Sequence, residues 1–249
     1  MSRFIVENGV ITSDELTAGG LRAWLTGHDP LIGERGRQRL SPDADLLLDG
    51  TLNHPKSYSI AALLNPQLDT EFEALQDRLR ERILLTWQME LDARRGHGGL
   101  IREEISRLEV VELQHRRSRA LDPHNHRHLW LNIKVLGADG KWSNLDSRVA
   151  MKLHTVVNAE GELAARTDPA WIAALARHGY TLDDTGEIAE LAGAVRPFSR
   201  RSAQIGANRA RLIVEWSGGS RRICAERGGD AADRSPRLGG LASEQAGRS

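Results

Sequence analysis

A chain of 249 residues, 40% of them apolar, is long enough for one sizeable core or two small ones. Its 34 basic and 34 acidic side chains cancel, so overall charge offers no case for nucleic-acid binding, and any phosphate contacts must come from local clusters. The single cysteine, Cys224, excludes an internal disulfide and a thiolate-rich zinc site; no apolar run is long enough for a membrane helix and no export signal opens the chain, so the expected compartment is the cytoplasm.

Thr12 and Glu15 read as a capping box ahead of Leu16, Leu21, Trp24 and Leu25, predicting a short helix that ends near Gly27, followed by a Gly/Arg-rich connector to about Pro42. From Asp45 to Asn53 the chain alternates. Leu46, Leu48 and Leu52 fall on one side and Asp49, Thr51 and Asn53 on the other, with Leu47 the exception, as in a half-buried strand. Pro55 suits the first turn of a helix running to Leu64, and Phe72, Leu75, Leu79, Ile83 and Trp87 predict a longer helix over Asp69 to Arg94. Extended structure is expected from Arg107 to Gln114 and again from His126 to Leu136. In the second of these, Leu129, Leu131, Ile133 and Val135 share one face and His126, His128, Trp130, Asn132 and Lys134 the other. Helical stretches are expected near Ser147–Val156, Ala170–His178 and Pro197–Leu212, with a short extended segment over Tyr180–Ile188. Beyond Trp216, Gly, Ser, Arg and Ala dominate, which predicts disorder over 217–249.

The polar face of the second strand carries the chemistry. His126 and His128, two apart on a strand, project to the same side, and a neighbouring strand can bring His115 to meet them. Three neutral imidazoles around a divalent ion (Mg, Mn or Zn) leave coordination positions open, as a catalytic metal requires. Such an ion stabilises the charge that develops on a phosphodiester but needs a separate hydroxyl to attack it. On spacing alone, an exposed polar strand edge is an equal alternative.

The segment HRRSRALDPHNHRHLWLNIKVLGADGKWSNLD, His115–Asp146, resembles the histidine-triad motif of the TrwC-type conjugative relaxases, the MobF class of HUH endonucleases. Three further segments resemble that family in the same order: ITSDELTAGGLRAWLTGHDP, DGTLNHPKSYS, and GYTLDDTGEIAELAGAVRPFSRRSAQI, so the likeness covers about residues 11–212. The resemblance implies an α+β fold, an antiparallel sheet flanked by helices. It implies His115, His126 and His128 as metal ligands and Asp49 as the acidic residue beside them, orienting an imidazole or taking a proton. Lys56 and Ser57 at a helix start would contact phosphate. Arg117, Arg119 and Arg127 are the cationic candidates for DNA in the same stretch.

The implied activity is metal-dependent, site- and strand-specific nicking of single-stranded DNA at a plasmid transfer origin, with other conjugation proteins as candidate partners and no membrane. One part of the pattern fails. The family's nucleophilic tyrosines lie near its N-terminus, where this chain reads MSRFIVENGV, and the only tyrosines are Tyr58, read as packing, and Tyr180, read as structural. The match therefore reads as truncated at its N-terminal end, with the first strand of the sheet missing and an inactive DNA-binding remnant as the alternative function. The expected organisation is an N-terminal helix and connector (1–43), a relaxase-like domain (44–216) and the tail (217–249).

Overall fold

A computed structural model describes residues 1–29, 33–34 and 45–229, in two compact units, Met1–Arg201 and Ser202–Ser249. In chain order the elements are β1 (Ser2–Glu7), β2 (Val10–Glu15), α1 (Ala18–Leu25), the two-residue strands β3 (His28–Asp29) and β4 (Gly33–Glu34), β5 (Leu47–Leu52), α2 (Lys56–Leu64) and α3 (Pro66–Glu90). Then come β6 (Asp92–Arg95), β7 (Ile101–Arg117), β8 (Pro123–Asn132), β9 (Lys134–Gly137), β10 (Trp142–Asn144), α4 (Ser147–Thr167), α5 (Pro169–Arg177), α6 (Ala192–Val195) and α7 (Arg200–Gly229). Among the described residues every strand pairing is antiparallel. The α+β class expected from the resemblance is what the chain forms.

The 17 residues of β7 organise the sheet: β1 lies along one edge and β8 and β9 along the other, with β2 outside β1 and β5 outside β8. Alternation then divides the sheet into two unlike faces. On one, Phe4, Val6, Leu108, Val110, Leu129 and Leu131 meet Phe72, Leu75 and Leu79 of α3 and Tyr58 of α2 in the main core. On the other, a small cluster of Leu16, Trp24 and Val111 with Trp130 lies under α1. Thr17 caps α1 by accepting from the Gly20 N–H, and Trp24 donates its indole N–H to the buried carboxylate of Glu109 at 2.9 Å. Arg3, 1% exposed, closes this patch by pairing with Asp14, Asp29 and Glu109.

The structure corrects several expectations. The chain's own first residues fill the strand position expected to be empty: β1 lies between β2 and β7, in register from Ser2↔Glu112 to Glu7↔Arg107. Asn8 and Gly9 both have positive φ, 49° and 80°, the backbone that a two-residue hairpin turn demands. Thr12 and Glu15 consequently lie on β2, and the cap of α1 is Thr17. Residues 1–29 thus belong to the same compact unit as the sheet rather than preceding it; most of the Gly/Arg-rich connector lies outside the described residues. The long helix starts at Pro66, capped by Asn65, and stops at Glu90, because Asp92–Arg95 pair with β7 as β6. The segment after Tyr180 makes only the isolated bridge Leu182↔Ile188. Finally, α7 continues to Gly229, into the stretch expected to lack structure, while 230–249 lie outside the described residues.

Candidate metal and DNA site

Beyond Val111 and Trp130, where the cover of α1 ends, the same face of β7 and β8 emerges as histidine. His115 pairs directly with His126, and Leu113 with His128. The ring centres of His115, His126 and His128 form a nearly equilateral triangle, with separations of 5.3, 5.4 and 5.3 Å. Imidazoles bound through nitrogen to one ion at 2.0–2.1 Å place their ring centres about 5 Å apart, so the spacing fits a shared ligand.

Orientation supports the same fit. Both carboxylate oxygens of Asp49 lie within hydrogen-bond distance of His128 Nδ1, at 2.9 and 3.0 Å, and the His124 carbonyl lies 2.9 Å from His126 Nδ1. With Nδ1–H donated in each case, Nε2 of both rings is left for a metal, the usual arrangement of an oxygen behind a ligating imidazole. Burial lowers the His126 pKa, against the opposing effect of its bond to the His124 carbonyl, and neighbouring His128 and His115 lower it further; the neutral, metal-ready form is favoured. Among the described residues, no group of three or more His, Cys, Asp or Glu side chains has its donor atoms already converged so that it could hold a metal ion. His115 is exposed and His126 and His128 are half-buried, so their side-chain torsions are free to turn the nitrogens toward a ligand.

Asp49 reaches this place because β5 pairs with β8, setting Asp49 opposite Trp130 and Thr51 opposite His128 on the histidine face. Gly50 between them is tightly approached: a Cβ there would stand 3.0 Å from the Trp87 ring of α3. A cleft of about 370 Å³ opens beside β5, lined by Ile83, Trp87, Met151 and Val157 and reaching Asp49; His115, His126 and His128 do not line it.

The other expected site residues divide. Lys56 lies close enough to His124 and His126 to lower their pKa, and its own is lowered by burial against the pull of Asp122. Its backbone N–H, however, donates to Glu187 Oε1 at 3.3 Å. Ser57 is fully buried; its N–H donates to Glu187 Oε2 at 2.9 Å and its hydroxyl accepts from the Ile188 N–H. Thus Glu187 already occupies the start of α2, and the expected phosphate contact through Ser57 is corrected to a structural one. Arg117 and Arg119 are exposed at the end of β7 and in the turn that follows.

Arg127 is not on this face. Strand alternation turns it to the helix side between His126 and His128, where it is 3% exposed and bonded to Glu73, Asp77 and Glu112 at 2.7, 2.6 and 3.0 Å. Expected as a DNA contact, it is a buried ion-pair centre. Two site neighbours went unpredicted: His124, stacked 4.5 Å from His126, and Asp122, whose carboxylate binds Arg200 and the Arg201 N–H.

A family model described as TrwC relaxase matches residues 4–237. The chain belongs to the TrwC relaxase family. Solved structures of similar fold include the conjugative relaxase TrwC in complex with oriT DNA in a metal-bound form, at 24% identity over 80% of this chain and 69% of that one, with a TM-score of 0.63. A copper-bound form of the same complex matches at 24% identity over 83% and 71%, TM-score 0.65. TrwC complexed with a 27-mer DNA comprising the recognition hairpin and the cleavage site matches at 25% identity over 80% and 71%, TM-score 0.64. A search of curated proteins returned no match. Of the chain's two tyrosines, Tyr58 is fully buried among His54, Phe72 and Trp171, and Tyr180 packs against the main core.

Proposed function

We propose that this TrwC-family chain binds single-stranded DNA of a plasmid transfer origin across its histidine face, and that a divalent ion (Mg, Mn or Zn) held by His115, His126 and His128 supports strand-specific nicking there during conjugation. The observation that carries this reading is the triangle of three rings at 5.3–5.4 Å backed by the Asp49 carboxylate. The TrwC structures of similar fold are themselves complexes with oriT DNA, in metal-bound and copper-bound forms. When bound, a divalent ion polarises a non-bridging phosphate oxygen.

The chain's own groups do the rest of the work. Asp49 fixes the tautomer and orientation of His128, and the His124 carbonyl does the same for His126. The Lys56 ammonium and the exposed Arg117 and Arg119 draw the phosphate chain toward the triangle and set its register. The expected location is the cytoplasm, and other conjugation proteins are the expected partners; among the described residues no helix is long and apolar enough to cross a membrane.

The burial of Tyr58 and the core packing of Tyr180 favour a second reading, DNA binding without cleavage by this chain's own side chains. One experiment separates the two. The full chain is incubated with divalent metal and a labelled origin oligonucleotide and run on native and denaturing gels. Nicked DNA that disappears in His126→Ala and His128→Ala supports the leading reading. A native shift without nicking supports the second. Binding that needs no metal, or that is indifferent to both substitutions, ends the leading reading, and the absence of any shift ends both.

A further inference from the structure

The turn joining β7 to β8 holds a carboxylate with no place in the nicking chemistry. Asp122 is fully buried, four residues before His126 and on the connection that sets the pairing of His115 with His126. Its Oδ1 accepts from Arg200 Nε at 2.7 Å, and its Oδ2 accepts from the Arg201 N–H at 3.2 Å and the Ser118 hydroxyl at 3.5 Å. Ser118 then ties the turn to itself: its hydroxyl accepts the N–H groups of Ala120 and Asp122, and its own N–H donates to the Asp122 carbonyl.

This turn is not at rest. Leu121 has φ 63°, left-handed backbone that a bulky residue without special need rarely adopts. The register of β7 against β8 slips between His115 and Arg117, so the pairing that unites two of the three histidines is interrupted right beside it before resuming at Arg117↔Pro123. A strained turn next to a register slip keeps one conformation only if its surroundings over-determine it. Asp122 and Arg200 supply that determination from 78 residues away in sequence.

We propose that Asp122 and Arg200 are positioning residues, a clasp that holds the β7–β8 turn in the one arrangement that presents His115 and His126 together for metal. The inference rests on the metal reading of the histidine triangle. It explains why a buried acid stands at this turn: a neutral residue would pack there, but a carboxylate ties the C-terminal segment of the first unit to the ligand strand through a charge-assisted bond from Arg200 and a second bond from the Arg201 N–H. It also gives that segment a role in the site without touching the metal.

The test uses the full chain, titrated calorimetrically with Zn²⁺ and with Mn²⁺. Asp122→Asn and Arg200→Ala are each expected to weaken metal binding about tenfold, the lower end for an outer residue that orients ligands. Arg200→Lys restores most of that loss, since a cation again faces Asp122, and the double variant is no weaker than either single one, because both break the same clasp. Amide hydrogen exchange in the metal-free protein over residues 118–126 is expected to quicken in Asp122→Asn while the urea unfolding midpoint moves little.

Wild-type metal affinity in Asp122→Asn and Arg200→Ala overturns the clasp and leaves the metal reading intact. So does a loss that tracks general unfolding with no rescue by Arg200→Lys. Failure of the wild-type chain to bind either ion, or equal binding after His126→Ala, strikes the metal reading instead; unchanged exchange over 118–126 would then still refute the clasp on its own.

Discussion

The two faces of the central sheet are built from the same strands, residue by residue in alternation, and they obey different rules. The helix side buries Phe4, Val6, Leu108, Val110, Leu129 and Leu131 against α2 and α3, and its contacts would survive any exchange of one well-fitting apolar group for another. The opposite side buries charge where α1 covers it, at Arg3 and Glu109, and leaves histidine half exposed where α1 ends. Stability resides on one side and chemistry on the other. The difference teaches that the histidines are affordable because the fold does not depend on them: a polar face is a cost only when it must be covered.

Substitutions sharpen or break this comparison. The largest effect is expected from Phe72→Ala, a fully buried ring at the centre of the aromatic cluster: a loss of about 3–5 kcal/mol in urea unfolding, with metal affinity of the still-folded fraction unchanged. A loss of metal affinity without a loss of stability would show that the faces are not separable. Arg127→Met comes next. It removes the cation shared by Glu73, Asp77 and Glu112 and is expected to cost roughly 2–3 kcal/mol, less than for an isolated buried pair because Asp77 is half exposed, Arg80 still pairs with Asp77 and Glu112, and Arg116 still pairs with Glu73. If Arg127 were a DNA contact, oligonucleotide affinity would fall more than stability does; the structure predicts the reverse.

Asp49→Asn acts on the other face. Metal affinity is expected to drop about 10–100-fold with a stability change under about 0.5 kcal/mol, read by calorimetry and chemical unfolding side by side. The smallest effect near neutral pH involves His54, whose pKa is pushed down to about 3 chiefly by burial, and further by Arg127 and His124. Because the folded state disfavours the proton that the unfolded chain accepts near pH 6.5, this stability is present above that value and drains as pH falls from about 6.5 toward 3. By pH 6 the loss is at most about 1 kcal/mol. Unfolding midpoints measured from pH 7.5 to 5 should fall less steeply in His54→Phe than in the parent chain; parallel slopes would contradict the assignment.

Much of this was legible in the sequence because alternation is a local rule. An apolar residue at every second position of 129–135, with His126, His128, Trp130, Asn132 and Lys134 on the alternate positions, is enough to declare a two-faced strand, and the structure keeps that parity through β8. The same parity places Arg127 with the leucines, so its burial was already written in the pattern that grouped it with the DNA contacts. The Asn8–Gly9 pair is likewise a local hairpin signal, and it competes in the same stretch with the capping-box pattern of Thr12 and Glu15, which points toward helix.

Other features had no local signature. That Glu187 would reach the start of α2, 130 residues away, and claim the N–H of Ser57 depends on how the segment after α5 packs. The same holds for Asp122 and Arg200. The sequence alone determined which side chains share a strand face, since that follows from a period of two and needs no knowledge of distant residues. Which charges meet across the fold, which helix start is already occupied and where the cover over the histidine face ends were decided only by tertiary packing, because the partners come from segments whose approach no local pattern encodes.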